Sequence, residues 1–213
     1  MVRLDIISDP ICPWCYIGKR HLDTALTDRP GHPFEIEWHP FQLNPDMPPG
    51  GMDRREYVAA KFGDRAADIY GPEGRIATAA REAGVTMNLD AIGRTPNTLD
   101  AHRLIHWAGL EGRQQAVVSL LFAAYFEGGR DIGDPAVLLD IADAAGMDRE
   151  MVSRLLSGDA DADAIRARDA HARTRGVNSV PTFLVADAHA VVGAQPPELW
   201  LQVIDELTAA TPE

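Results

Sequence analysis

Cysteine is scarce here: the 213-residue chain has two, Cys12 and Cys15. Two cysteines cannot build a disulfide framework, and with no second CxxC or CxxH a four-ligand zinc site has no support. Lysine is equally scarce, confined to Lys19 and Lys61, and 20 basic residues face 32 acidic ones for a net charge of −12. That balance argues against nucleic acid or an anionic membrane surface as a partner. Long apolar runs are missing too, and nothing approaches the ~18 consecutive apolar residues of a membrane span. Arg3 and Asp5 interrupt the first short apolar segment, so no secretory leader is read there and a cytoplasmic location is expected. In that compartment a CxxC is more often catalytic or redox-sensing than structural.

What the chain does have is apolar material, 46% of its residues, enough for a sizeable core. Both cysteines fall in Asp9-Pro10-Ile11-Cys12-Pro13-Trp14-Cys15-Tyr16-Ile17-Gly18. The segment before it, 2–8, reads as a buried strand, and 13–26 reads as a helix with Pro13 in its first turn. Cys12 then sits at a helix N-terminus, where unpaired N–H groups and the helix dipole favour an anion. A thiolate is the anion on offer, and the thiolate is the nucleophilic form. Cys15, one turn later, is placed to attack a mixed disulfide formed at Cys12. A CxxC beside a β-α pattern is the thioredoxin-like signature.

Residues 34–41 alternate Phe34, Ile36 and Trp38 against Glu35, Glu37 and His39, the period of a half-buried strand. A Pro- and Gly-rich loop, 44–51, follows. From 53 to 175 the pattern is almost wholly helical, with predicted helices over 53–62, 64–70, 72–83, 96–109, 114–126, 135–145, 148–156 and 162–174. The period returns to that of strands at 180–185 and 190–192, and a helix over 197–207 ends the chain. These changes predict an α/β architecture, a thioredoxin-like fold with a large all-helical insertion: residues 1–45 and 176–213 form the thioredoxin-like domain and 46–175 the inserted helical domain.

The chain resembles the DsbA family of thioredoxin-fold proteins, and within it the FrnE-like dithiol oxidoreductases. The motifs that carry the resemblance are Cys12-Pro13-Trp14-Cys15, Trp38-His39-Pro40-Phe41-Gln42-Leu43-Asn44-Pro45, Asn97-Thr98-Leu99-Asp100-Ala101-His102-Arg103, Val180-Pro181-Thr182-Phe183 and Gly193-Ala194-Gln195-Pro196. The resemblance implies a thiol–disulfide oxidoreductase in which Cys12 is the nucleophile, Cys15 resolves, and Pro181 is a cis-proline facing the CxxC loop. Substrate would touch Pro13, Trp14, Val180 and Pro181. It implies no bound cofactor or metal, with glutathione as a candidate co-substrate, and a disulfide-containing protein or small thiol as the partner. Oligomeric state is left open, a homodimer included.

The same fold resembles 2-hydroxychromene-2-carboxylate isomerases and kappa-class glutathione transferases, which gives the alternative of a glutathione-dependent isomerase or transferase. Those proteins typically carry Ser at the first catalytic position and lack the second Cys, so the full CxxC favours the oxidoreductase. One departure stands out. Related thiol oxidoreductases often place a buried acid six residues before the first Cys, and here that residue is Ile6, which leaves Asp9, His39 or water to move the Cys15 proton. Some relatives also carry a second cysteine pair that this chain lacks.

Three weaker features complete the reading. His102 and His106, spaced i, i+4, are a candidate metal face set against a plain surface or cleft pair. Trp14, Trp38 and Phe41 are candidates for an apolar substrate wall or for ordinary core. The acid-rich stretch 157–169 lacks the glycine and late Glu of a calcium loop and reads as a solvated loop entering a helix.

Overall fold

In the computed structural model, which describes residues 1–209, the first apolar segment is strand β1 (Val2–Ser8), with Leu4 and Ile6 fully buried. Helix α1 (Pro13–Asp28) follows with Cys12 as its N-cap residue and Pro13 in its first turn. Strand β2 (Phe34–Pro40) then pairs parallel to β1, Leu4 opposite Ile36 and Ile6 opposite Trp38. This is the βα unit that a strand feeding a helix must close by a crossover.

The next segment departs from the all-helical expectation. Strand β3 (Met52–Asp53) pairs antiparallel with β4 (Arg94–Thr95) in a two-residue ribbon. The cause is close approach: Gly51 has φ +69°, and a Cβ there would lie 2.6 Å from the Thr95 carbonyl oxygen. Otherwise the segment is helical. Between β3 and β4 lie α2 (Arg54–Phe62), α3 (Ala66–Tyr70) and α4 (Arg75–Glu82). After β4 come α5 (Leu99–Leu110), α6 (Gln114–Phe122), α7 (Pro135–Ala144), α8 (Arg149–Leu156) and α9 (Ala162–Thr174).

The side chains of Asp53, Asp134 and Asp148 accept backbone N–H groups at the starts of α2, α7 and α8, the capping that these positions favour. α5 starts at Leu99 rather than Pro96 because the Asn97 side chain accepts the Leu99 N–H at 2.9 Å. The end of α6 widens into a π turn over Ala123–Glu127.

Strands β5 (Thr182–Val185) and β6 (His189–Val192) return to the sheet, which runs β2-β1-β5-β6 with β5 antiparallel to β1 and β6 to β5. Helix α10 (Pro197–Ala209) packs beside α1, and its Trp200 meets Phe183 edge-on at 4.7 Å. Residues 210–213, the end of the expected thioredoxin-like unit, lie outside the described residues. Core residues of the sheet, α1 and α5 to α8 form one continuous apolar cluster. On the other face of the sheet a cleft of about 650 Å³ opens between β1, β2, β5 and α9.

The acid-rich stretch is more than a solvated loop entering α9. The carbonyls of Leu155, Gly158 and Ala160 accept from the buried Arg103 guanidinium at 2.6, 2.6 and 2.7 Å, and Asp161 accepts from the Trp107 indole at 2.8 Å. Replacing Arg103 with Met strands those carbonyls, each a group that is expensive to leave unpaired. We expect Arg103→Met to cost about 3 kcal/mol, a Tm drop of roughly 6–12 °C for a chain of this length by thermal melt.

Candidate active site

The Cys12 thiol donates to the Val180 carbonyl at 3.6 Å, across 168 residues of sequence. Val180–Pro181, just before β5, is a cis peptide bond and lies against the start of α1. Gly18 makes the approach possible. A Cβ on that helical residue would stand 3.1 Å from Pro181 Cγ and 3.3 Å from Ala194 Cα. A glycine in a helix interior ordinarily costs stability, so its place on the face under Pro181 was the available signal of close packing. Pro13, Val180 and Pro181 are buried, while Trp14 is half-buried and packs on the cluster of Ile17, Ala80 and Val85.

Both thiols are free and buried. Cys15 is 1% exposed, and burial pushes its pKa well above the ordinary thiol value. Contact with the Cys12 thiol adds to that rise; the Ser8 side chain and the Asp9 backbone N–H work against it. Tyr16, the next residue, stacks on Phe122 and Phe126 at 5.1 and 5.8 Å and donates its hydroxyl to Glu127, tying the motif to the π turn.

Asp9 has no exposed surface. Its Oδ2 accepts the Leu43 N–H at 2.7 Å, its Oδ1 accepts the Ile11 N–H at 3.3 Å, and the Thr98 side chain adds a further bond. Burial outweighs these and lifts the Asp9 pKa to about 7. His102, on α5, lies beside it with Nε2 3.8 Å from Asp9 Oδ1. Burial draws His102 down to about 4, against the opposing pull of Asp169 and the Phe41 carbonyl.

Several sequence expectations change here. His102 and His106 take different partners: His102 is buried beside Asp9, while His106 meets Arg168 at 3.3 Å. His102 is packed inside with most of α5, while His106 is half-buried at a cleft lined by Glu37 and Arg168. Trp38 and Phe41 are core rather than substrate wall. Trp38 is held by Gln114 and Gln115 and is 3% exposed, and Phe41 is covered by the Arg173 guanidinium at 4.0 Å. His39 is engaged on the cleft side, with Nε2 on Asp5 at 2.7 Å and Nδ1 accepting from Arg168 at 2.8 Å, rather than on Cys15. Ser8 was not singled out from the sequence, since a serine ending a strand carries no signal of its own.

A strand, a CxxC at a helix start and a cis-proline opposite it, on a β2-β1-β5-β6 sheet, define a thioredoxin-fold dithiol protein. The chain belongs to the DSBA-like thioredoxin domain family, whose model matches residues 3–205. It is 26% identical over 191 residues to the uncharacterized protein YwbO of Bacillus subtilis, covering 87% of this chain and 88% of that one. A probable DsbA oxidoreductase from Streptomyces coelicolor, SCO1869, superposes with a TM-score of 0.85 at 29% identity, over 100% of this chain and 92% of that one. The cytosolic disulfide reductase DsbM from Pseudomonas aeruginosa, solved with GSH, shares the fold at a TM-score of 0.67 and 18% identity, over 97% and 99% of the two chains.

Asp9 and His102 pull stability in opposite directions with pH. A carboxyl raised to about 7 in the fold keeps its proton while the unfolded chain loses it, so its stabilisation is full below about pH 4 and is lost as pH rises towards 7. A histidine lowered to about 4 takes up its proton in the unfolded chain first, so stability rises from about pH 4 to 6.5. Denaturant midpoints against pH should show Asp9→Asn rising more steeply than wild type over this range and His102→Gln falling relative to it.

Proposed function

We propose that the protein is a thiol–disulfide oxidoreductase in which Cys12 attacks a substrate disulfide and Cys15 releases the mixed disulfide. The observation that carries this reading is the Cys12 thiol at the head of α1, 3.6 Å from the Val180 carbonyl. The Val180 backbone beside the cis-proline offers main-chain groups to an extended substrate strand, and Pro13 and the half-buried Trp14 form the adjoining contact. Cys15 stays a thiol until the exchange, because burial disfavours its charge.

No bound cofactor takes part. The substrate class is a disulfide-containing protein or a small thiol, with glutathione as the co-substrate, a reading supported by the glutathione bound to the Pseudomonas reductase. The reading places the protein in the cytoplasm. Among the described residues no helix is long and apolar enough to cross a membrane.

The two cysteines must then fail differently. Cys15→Ser attacks but cannot release, so mixed disulfides accumulate at Cys12. Cys12→Ser traps nothing and loses turnover. The measurement is reduction of insulin or glutathione disulfide, with adducts weighed by mass spectrometry. A glutathione-dependent isomerase would behave otherwise: Cys12→Ser would keep much of its activity, Cys15→Ser would hardly matter, and wild type would reduce no disulfide tried.

A further inference from the structure

Release of the mixed disulfide requires Cys15 to shed a proton inside the protein, since its thiol is 1% exposed. On β1 the buried acid, Asp5, faces the cleft on the other side of the sheet and is engaged by His39, while Ile6 between it and the thiols is apolar. The side chain that reaches the thiol is Ser8. Ser8 also lines a void of about 10 Å³, shared with Trp38, His39, His102 and Phe122. Its remaining walls, Pro10, Ile105 and Val118 among them, are mostly apolar, and its size is about the least that holds one water.

His102 is the group poised to use it. Its ring bonds the Phe41 carbonyl, which leaves Nε2 without a hydrogen-bond partner, buried and 3.8 Å from Asp9 Oδ1. An unpartnered buried nitrogen is costly and calls for an explanation. A ring that donates through Nδ1 presents a lone pair at Nε2, which accepts a proton and cannot give one. Asp9 is placed to stabilise the imidazolium that results.

Resting on the dithiol reading above, we infer that His102, with Asp9 beside it, receives the Cys15 proton through Ser8 and one water in the void. As the proton leaves, Cys15 Sγ bonds to Cys12 Sγ and the bond from Cys12 to the substrate sulfur breaks. The electron pair departs on the substrate sulfur, which is reduced while the protein pair is oxidised. The proton enters at His102 Nε2 and comes to rest on the His102–Asp9 pair, whose facing atoms are 3.8 Å apart. Reduction of the protein disulfide runs the route backwards.

The charged and titratable groups around His102 come from each packed element. The β1–α1 junction supplies Asp9, β2 supplies His39, and α9 supplies Asp169 and Arg168; α6 faces the void with Val118 and Phe122. Asp169 is engaged by the Gln42 N–H at 2.9 Å and by Arg173 at 3.1 Å. Arg168 is engaged by Glu37 at 3.0 Å. Asp9 is therefore the acid placed to share the proton.

The experiment follows release separately from attack. Protein loaded with glutathione disulfide is quenched at intervals between pH 5.5 and 9, and the adduct is weighed. His102→Gln should release about 100-fold more slowly than wild type near pH 6–7, the scale of a lost general base, with the deficit shrinking as pH rises and hydroxide takes over. Asp9→Asn should shift the midpoint of the release profile. Attack by Cys12, measured in the Cys15→Ser background, should not change when His102→Gln is added.

Equal release profiles in wild type and His102→Gln would overturn the relay and leave the oxidoreductase reading standing. A Cys15→Ser protein that traps no adduct would overturn the reading itself, and the relay with it. If His102→Gln does not fold, a solvent deuterium isotope effect on release but not on attack in the wild type supports the relay, and its absence refutes it.

Discussion

One buried carboxylate holds the cysteine loop in place. Asp9 leaves β1 and, instead of facing solvent, turns inward, where the Leu43 and Ile11 N–H groups and Thr98 take its oxygens. Leu43 follows β2 and Thr98 precedes α5, so three segments distant in sequence meet on one side chain. The Asp9 carbonyl in turn accepts the Cys12 N–H at 2.9 Å. The position of the nucleophilic thiol is thus set from both ends of the same residue. Burying a carboxyl this completely is unfavourable unless it is neutral or well bonded, and this one is bonded and close to neutrality at once.

The opposite wall is set by contact rather than by charge. Gly18 lets the Pro181 loop settle on α1, and Phe183 then packs on Trp200 behind it. The Val180 carbonyl comes to rest on the Cys12 thiol at 3.6 Å.

Much of this was legible in the chain. The periods of 2–8 and 34–41 and the Pro after Cys12 speak through neighbours a few residues away, and those elements lie where the sequence put them. α9 runs over the predicted 162–174. What escaped depends on distant partners. The β3–β4 ribbon pairs two residues with two others some forty positions on, too short for a periodic signal. His102 read as half of a metal face, or of a surface or cleft pair, with His106, and only the packing of α5 against β2 and α9 decides which polar groups go inside. The acid missing at Ile6 could be noticed, but nothing local says that Asp9 is turned inward.

The span between the two halves of the site has a consequence for how the protein is made. Cys12 and Val180 are 168 residues apart, and β1, the central partner of both β2 and β5, cannot complete its pairing until β5 exists. While the chain is being synthesised, both thiols leave the ribosome with the β2 half of their surroundings available and the β5 half still untranslated. Contacts closed over such a distance form late, so the cysteines spend that interval less shielded than in the finished fold. The compartment in which the chain is made, as much as the one in which it works, must therefore keep those two thiols from the wrong partner.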